Sequence, residues 1–397
     1  MNQPLFSDIR WFETITSTND YLKALCRENP TGGLVAAALE QTKGRGRTGR
    51  SFCSKTGGVY FSFSLKAPLP AAYIPTITLL AGLAVHDAVT ELTGVETQIK
   101  WPNDVVCHNK KLCGILTEGT VGSDGRLLCA VVGIGMNLSG SSSDYPEDLR
   151  EIVGTLEEQG GRTEPKPFVE AVLRRFEALW QGGLFYQNMA AIMAAYSEHL
   201  AWRGSDVRLS RGSETVFGRL VGVNDSGELL LFRGGRLEAY PSGEIHLRPV
   251  RTCAFSGNRI LSHSREAVYT ALVSEVENLV CRGFTVFRTG GAGGFDTLAA
   301  MAVIHVRKNH PELFLEILLP YPEFAPDDPD FPETIQKADR VTAVSEHYTS
   351  FCMSVRNEAL VESADLLILY NYQEKGGSVQ TSGIAARHRV PVERLSI

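Results

Sequence analysis

Gly44-Arg45-Gly46-Arg47-Thr48-Gly49-Arg50 is the stretch on which the reading of this chain turns. Arginines alternate with glycines along it. Glycine lets the backbone bend and approach a ligand closely. Arginine presents a planar fork of donors that matches carboxylate and phosphate oxygens two at a time. Alone, such a run fits a flexible nucleic-acid arm. Here the apolar run Leu34 to Leu39 precedes it, and Val59-Tyr60-Phe61-Ser62-Phe63-Ser64-Leu65, which alternates with period two, follows it. Both flanks read as strands, so the loop is set into a folded domain and is built to receive an anion.

Working outward, Ser17-Thr18-Asn19-Asp20 has the spacing of a capping box, with Ser17 as cap and Asp20 three residues on, and opens a helix through Tyr21, Leu22 and Leu25. A long helix is predicted from Ile74 to Leu92, apolar on most of its surface and therefore central. Strands follow around Ile99, Gly114 to Glu118 and Leu127 to Leu138, then helices over Phe168 to Trp180 and Met189 to Leu200; Trp180 and Trp202 read as core residues. From Ser205 to Val250 short alternating runs are punctuated by turn residues, with Asn224-Asp225-Ser226-Gly227 as a hairpin signal, which predicts a small β-barrel. From Arg251 strands (Thr252–Ser256, Phe284–Thr289, Phe314–Leu319, Arg340–Val344, Leu366–Tyr370) alternate with helical segments, the rhythm of a doubly wound parallel sheet. The acidic, proline-rich piece Pro320 to Pro332 reads as a surface loop.

Composition narrows the function classes. At 397 residues the chain exceeds one ordinary core, so two or three domains are expected. A net charge of −6 argues against a general nucleic-acid coat. The eight cysteines include no Cys-x-x-Cys pair; the closest two, Cys107 and Cys113, sit among apolar residues, so reduced core thiols in a cytoplasmic protein are expected. The nine histidines show no metal-ligand spacing, and His305 and His310 fall on different faces of a predicted helix. No signal pattern opens the chain and no uninterrupted apolar run reaches ~18 residues, so a soluble protein without a membrane partner is expected. Asn137-Leu138-Ser139 forms a glycosylation sequon that has no use in that compartment.

Three further segments belong with the arginine loop: Lys100-Trp101-Pro102-Asn103-Asp104, Lys110-Lys111-Leu112-Cys113-Gly114-Ile115-Leu116 and Gly133-Ile134-Gly135-Met136-Asn137-Leu138. Together they supply cations for anions, glycines for a tightly held ligand and amides for neutral polar groups. No Ser-His-Asp set or paired carboxylates accompany them. A site rich in fixed cations and poor in bases suits a carboxylate that attacks a phosphoryl group, because that nucleophile arrives ionised and catalysis reduces to alignment and charge neutralisation.

These four segments, in this order and spacing, resemble the biotin protein ligases over residues 8–250. The resemblance implies an enzyme that makes biotinyl-5′-adenylate from biotin and ATP with Mg²⁺, then passes biotin to a lysine of a biotin carboxyl carrier protein. It implies that Ser17, Thr18, Gln41, Gly44, Arg45, Gly114 and the backbone of Ile115 bind biotin. It assigns ATP to Arg47, Arg50, Asn103, Asp104, Lys111 and Asn137, and catalysis to Lys111 and Arg47. Magnesium is expected to travel with ATP near Asp104 without a dedicated protein cage. Larger members of the family carry an N-terminal helix-turn-helix; here the catalytic domain starts almost at Met1, so no DNA partner is expected, and a homodimer is compatible with the sequence. Phe52 stands where some relatives have tryptophan. A lipoate- or octanoate-type protein ligase and a non-catalytic biotin or nucleotide sensor are the rival readings.

The third region carries Ser256-Gly257-Asn258-Arg259, Thr289-Gly290-Gly291-Ala292-Gly293-Gly294-Phe295-Asp296, Arg356-Asn357 and Gly376-Gly377-Ser378. The loop after the second strand is neither a dinucleotide fingerprint nor a P-loop, but its backbone N–H groups would make an anion site. These residues resemble the SLOG superfamily, nearest its YpsA-like branch, which implies that Ser256, Gly257, Gly290, Gly291, Gly293, Gly294, Asp296, Arg356, Asn357, Gly376, Gly377 and Ser378 bind a nucleotide-type ligand. The glutamate that the cleaving branch places one turn after its glycine loop has no counterpart in Gly376-Gly377-Ser378-Val379-Gln380-Thr381, so binding rather than hydrolysis is expected. The expected architecture is an α+β ligase catalytic domain (mixed sheet with helices) over 1–200, a small SH3-like β-barrel over 201–250 and a C-terminal α/β Rossmann-like parallel-sheet domain over 251–397.

Overall fold

A computed structural model describes residues 5–6, 8–66, 69–181, 184–211, 214–233, 236–242, 246–362, 364–373 and 375–397. The chain divides into two compact units, one ending at Arg248 and one starting at Pro249. The first contains β1 (Ile9–Ile15), α1 (Thr18–Glu28), β2 (Val35–Gln41), β3 (Gly58–Leu65), α2 (Ile74–Thr93), β4 (Gln98–Lys100), β5 (Asp104–Cys107), β6 (Lys110–Val121), β7 (Leu127–Asn137), α3 (Glu147–Arg150), α4 (Pro165–Trp180), α5 (Met189–Glu198), β8 (Asp206–Arg211), β9 (Glu214–Val223), β10 (Leu229–Arg233), β11 (Arg236–Tyr240) and β12 (His246–Pro249).

Seven strands form a mixed sheet in the order β1-β2-β3-β7-β6-β5-β4. β1 and β2 are parallel, and the other neighbours are antiparallel. Strand side chains alternate between faces, and the alternation sorts two cores. Val132, Ile134 and Met136 of β7 join the large core with α2 and α4, whereas Cys129 and Val131 pack with Leu22 and Cys26 of α1. Gly133, Gly135 and Asn137 therefore face the α1 side, beyond the helix that covers its first half. On this face Gly135 pairs with Gly114, and Gly133 with Leu116 and Ser62. A row of glycines leaves room above the sheet where side chains would otherwise fill it.

α2 is long and apolar enough, by length and composition, to cross a bilayer, although Asp87 and Glu91 interrupt the apolar run. Two thirds of it (67%) is buried, so it is the central core helix of this unit. Trp180 stacks between Phe176 and Phe185 as a core residue. Trp202 packs against the core only from its edge: it is half-buried, takes φ 64° and sends its indole N–H to Asn109.

β8 to β12 form a separate five-stranded sheet in the order β11-β10-β9-β8-β12, antiparallel from β8 to β11. The Asn224–Gly227 hairpin turn forms, with Gly227 at φ 77°, and its carbonyl accepts the indole N–H of buried Trp101 at 3.0 Å. The turn after β4 and the small sheet are thus joined by one buried polar bond.

The second unit contains β13 (Thr252–Gly257), α6 (Arg265–Cys281), β14 (Val286–Thr289), α7 (Phe295–Val306), β15 (Phe314–Leu319), α8 (Phe331–Lys337), β16 (Arg340–Ala343), α9 (Cys352–Val361), β17 (Leu366–Tyr370), α10 (Gly377–His388) and β18 (Val392–Arg394). Its sheet is parallel throughout, in the order β16-β15-β14-β13-β17-β18. Phe255 and Cys253 pack with α6 and α7, and Ala254 packs with α9 and α10, so helices cover both faces. The chain reverses direction across the sheet at β13. β18 was not legible as a strand, being a three-residue, fully exposed edge.

Among the described residues no three His, Cys, Asp or Glu side chains group as metal ligands. His310 lies beyond the end of α7, beside Glu312, and not on a helix with His305. Cys26 and Cys129, 103 positions apart in sequence, bring their sulfurs to 2.8 Å inside the α1 core.

Trp101→Phe keeps an aromatic ring but shrinks it, so it strands the Gly227 carbonyl and leaves a small void. It should lower stability by about 1–3 kcal/mol, read as a lower urea midpoint; an unchanged midpoint would show that the bond between turn and small sheet contributes nothing.

Candidate active site

A cavity of about 370 Å³ opens on the α1 side of the large sheet, and it is lined from four directions. The arginine–glycine loop forms one wall, the turn Lys100–Asp104 another, β6 and β7 the floor, and the segment around Tyr145 to Val153 with Leu247 and Arg248 of the small sheet the remainder.

The loop is shaped by its own backbone. Gly46 N–H donates to Arg50 C=O at 2.7 Å, Phe52 N–H donates to Gly44 C=O at 3.0 Å, and Thr48 takes φ 52° between them. Gly44 is required by this packing: a Cβ there would overlap Ser54 and the Phe52 carbonyl. Gly44 does not line the cavity, in contrast to the sequence expectation, whereas Arg45, Arg47 and Arg50 do. Arg47 Nη1 donates to Asn103 Oδ1 at 3.1 Å, and Asn103 Nδ2 donates to the Ile115 carbonyl at 3.2 Å, so the loop, the turn and β6 are held together at the cavity rim.

Lys111 Nζ lies 2.7 Å from Asp104 Oδ1 and 5.5 Å from the centre of the Phe52 ring. Phe52 in turn rests on the glycine floor. A Cβ at Gly114 would come within 2.7 Å of its ring, and one at Gly135 within 2.6 Å. Lys100, from the facing turn, sits over the Trp202 ring. Burial, then Arg248 and Lys111, push its ammonium down to about 8, so it sheds its charge just above neutral pH.

At the α1 end, Ser17 caps the helix by accepting the Asp20 N–H at 3.3 Å. The reciprocal half of the capping box is replaced, because the Asp20 carboxylate pairs with Arg45, a charge-assisted partner. Thr18 N–H and Oγ1 both reach Gln41 Oε1, at 2.9 and 3.1 Å, and Gln41 Nε2 donates to Ser54 Oγ at 3.0 Å. Beneath them Ser62 Oγ bonds Thr18 Oγ1 at 2.7 Å and Asn19 Oδ1 at 2.6 Å. Asn19 lines the cavity and was missed by sequence reasoning, although it adjoins Ser17-Thr18; its carboxamide overhangs Gly133, where any Cβ would overlap it. Tyr145, Leu149, Ile152, Val153, Leu247 and Arg248 were also missed, since they come from segments without a motif.

Asn137 is buried, which removes its sequon from any modifying enzyme. Its Nδ2 donates to the Gly154 carbonyl at 3.1 Å, holding the 145–153 segment over β7, and its buried Oδ1 has no partner. An orphaned acceptor at the cavity surface is a place for a ligand N–H.

The second unit brings its predicted residues together at the carboxyl ends of β13, β14 and β17. Gly291, Gly293 and Gly294 all take positive φ (59°, 82° and 55°), a backbone that other residues rarely adopt. Two expected ligand contacts are engaged internally instead. Asp296 and Arg356 form a buried pair at 3.4 Å beneath Gly290, and Asp296 accepts the Ala292 N–H at 3.1 Å. The 320–332 piece is not wholly a surface loop: Asp328 is buried, accepts the Gly294 N–H at 2.8 Å and pairs with Arg265. Asn357 Nδ2 donates to Gln380, Ser378 Oγ to Asn371 Oδ1, Gly376 caps α10, and a Phe295 ring fills the space that a Gly257 side chain would need.

Gly135→Ala should dislodge Phe52 and lower stability by about 1–3 kcal/mol. Adding Phe52→Ala should recover part of that loss, so a double-mutant cycle by chemical denaturation reads a coupling; strict additivity would show that the ring does not rest on the floor.

Three family models match the chain: the biotin/lipoate A/B protein ligase family over residues 11–137, the biotin protein ligase C-terminal domain over 204–248, and the YspA SLOG family over 249–389. The chain is 30% identical over 239 residues to the bifunctional ligase/repressor BirA of Bacillus subtilis, covering 60% of this chain and 73% of that protein. It is 30% identical over 219 residues to the biotin–[acetyl-CoA-carboxylase] ligase of Paracoccus denitrificans, covering 54% of this chain and 90% of that one. Among solved structures, the biotin protein ligase from Aquifex aeolicus in complex with biotin and ATP superimposes with a TM-score of 0.52 at 30% identity, over 62% of this chain and all of that one. With a cationic, glycine-floored cavity in the matched unit and relatives covered over most of their length, the chain belongs to the biotin protein ligase family.

Proposed function

We propose that this chain is an ATP-dependent biotin protein ligase whose reactions occur in the cavity of the first unit. In the first step a biotin carboxylate oxygen attacks the α-phosphorus of ATP; the P–O bond to pyrophosphate breaks and biotinyl-5′-adenylate remains. In the second, the neutral ε-amine of an acceptor lysine attacks the acyl carbon; an amide forms, AMP leaves and the amine gives up a proton. The acceptor is a biotin carboxyl carrier protein. The observation that carries this reading is the convergence of Arg47, Lys100 and Lys111 on one glycine-floored cavity.

Lys111, with Arg47, would neutralise the carboxylate and the α-phosphate as they meet. Arg50, Asn103 and Asp104 would hold the triphosphate side, and the unpaired Asn137 Oδ1 would accept from the adenine end. Ser17, Thr18, Gln41, Arg45, Gly114 and Ile115 would hold biotin, with the Thr18–Gln41 bonds fixing the orientation of its polar partners. Mg²⁺ fits here as a passenger of ATP. Asp104 is the one carboxylate among the described lining residues and is already paired with Lys111, so the triphosphate would supply most of the ligands. The five-stranded sheet fits a small SH3-like barrel, which would close the cavity with Leu247 and Arg248. A cytoplasmic setting suits eight free cysteines.

For the second unit the reading is a binding module for a nucleotide-type ligand. β13 lies between β14 and β17 in parallel register, so the loops at Ser256–Gly257, Gly290–Gly294 and Gly376–Ser378 share the switch point of the sheet, where such folds take ligands. Asp296, Arg356 and Asn357 would act by supporting those loops. Calorimetry of the whole chain with ADP-ribose and common nucleotides should show a site that Gly290→Val removes while ATP-dependent biotin activation persists; no heat from any of them would contradict this.

Incubating the chain with ATP, Mg²⁺ and biotin should release pyrophosphate and yield biotinyl-adenylate; product with lipoate or octanoate alone would favour the related acyl ligase, and no product with any acid would favour a sensor. Lys111→Ala removes the cation that faces both anions and should slow adenylate formation on the order of 10³-fold, measured in a single turnover. Lys100 predicts a pH effect. Its lowered value means that a cavity cation is present at pH 7 and lost as pH rises through about 8, so ATP affinity should fall across that window. Lys100→Met should abolish the inflection in affinity measured from pH 7 to 9.

A further inference from the structure

Glu118 lies outside the cavity, on the β6 face beside α1, and no motif marks it. Its two oxygens are both engaged. Oε1 contacts Lys23 Nζ at 2.6 Å and Arg45 Nη2 at 3.3 Å, and Oε2 accepts from Asn19 Nδ2 at 3.0 Å. Asp20 takes the other side of the Arg45 guanidinium. Two carboxylates therefore balance two cations across three segments: β6, α1 and the root of the arginine–glycine loop. Both carboxylates raise the proton affinity of Arg45. Glu118 has a side-chain exposure of 20% and Lys23 of 22%, so that pair is more shielded than an ordinary surface ion pair, whereas Arg45 (41%) and Asp20 (49%) are exposed.

We propose that Glu118 is a positioning residue for biotin activation: its carboxylate fastens the loop root to α1 through Arg45 and aims the Asn19 carboxamide at the cavity floor. The two effects run along separate oxygens. Through Oε1 the pair with Arg45 fixes the root of the arginine–glycine loop and with it the Arg45 side chain at the biotin end, while Arg47 keeps its own partner in Asn103. Through Oε2 the bond orients Asn19, which contacts Ser62, which contacts Thr18 and hence Gln41. Thr18, Gln41 and Arg45, three of the side chains at the acid-binding end, thus share a link to one carboxylate that lies outside the cavity. Without its charge, Lys23 and Arg45 lose the carboxylate oxygen they share, Asp20 remains only on the other side of the Arg45 guanidinium, and the loop root loses a fixed partner. This inference rests on the ligase reading of the cavity.

Glu118→Gln keeps the volume and an acceptor for Asn19 while deleting the charge. It should raise KM for biotin about fivefold to tenfold with kcat within about twofold, because the chemistry around Lys111 is untouched. Glu118→Asp should restore part of the loss, and added salt should shrink the difference between parent and Glu118→Gln. Combined with Arg45→Met, which itself raises KM, Glu118→Gln should add little, since both cut the same link. Should Glu118→Gln not fold, Glu118→Asp with and without Arg45→Met reads the same link and should show the same non-additivity. A parental KM for biotin in folded Glu118→Gln, or effects of the two substitutions that multiply, would overturn the inference while leaving the ligase reading in place. A parent chain that makes no biotinyl-adenylate would remove the ligase reading and this inference with it.

Discussion

Repulsion between two anions is the constraint around which the first unit is organised. A carboxylate and a phosphate brought to 4 Å repel by about 4 kcal/mol at an effective dielectric near 20, and more as water is excluded. Fixed cations offset that term only if they are already in place when the anions arrive. The fold meets the requirement by crowding Arg47, Lys100 and Lys111 around one cavity and by giving each a partner that orients it: Asn103 for Arg47, the Trp202 ring for Lys100, Asp104 and Phe52 for Lys111. Glycines on β6 and β7 make the space in which this can be done, because any side chain at 114, 133 or 135 would take the room of Phe52 or Asn19.

The rest of the first unit serves that arrangement. α2, buried through two thirds of its apolar window, gives the sheet a rigid back. α1 packs on the front of the sheet and starts at the cavity, which Ser17, Thr18 and Asn19 line. Trp101, buried beside the cavity turn, bonds the hairpin of the small sheet and so keeps Leu247 and Arg248 at the rim. Positions of the cavity-lining side chains are thus set by packing and by buried polar bonds.

Much of this was legible in the sequence because it is local. The flanking strands of the loop, the helix after Ser17, the Asn224–Gly227 hairpin and the alternation of strands and helices after residue 251 all leave patterns of a few residues. Four motifs sufficed to name most of the lining side chains. What escaped depends on the third dimension. Only the Ser17 half of the capping box formed, because the Asp20 carboxylate found a cation from a distant loop. Gly44 looked like a ligand contact, and the structure shows it packed within the turn against Ser54 and the Phe52 carbonyl. Asp328 was hidden in a proline-rich stretch, and Asp296 and Arg356, 60 residues apart, gave no sign that they would pair with each other. The sulfurs of Cys26 and Cys129 meet only because α1 crosses β7.

The central claim is that biotin and ATP meet over the glycine floor under Arg47 and Lys111. A crystal structure of the chain with a non-hydrolysable biotinyl-adenylate analogue tests it most directly. The account predicts the acyl-phosphate linkage within hydrogen-bonding distance of Lys111 Nζ and the Arg47 guanidinium, with Phe52 displaced from or stacked on the ligand. Density for the analogue elsewhere, with the loop and both cations in the positions described above, would contradict it.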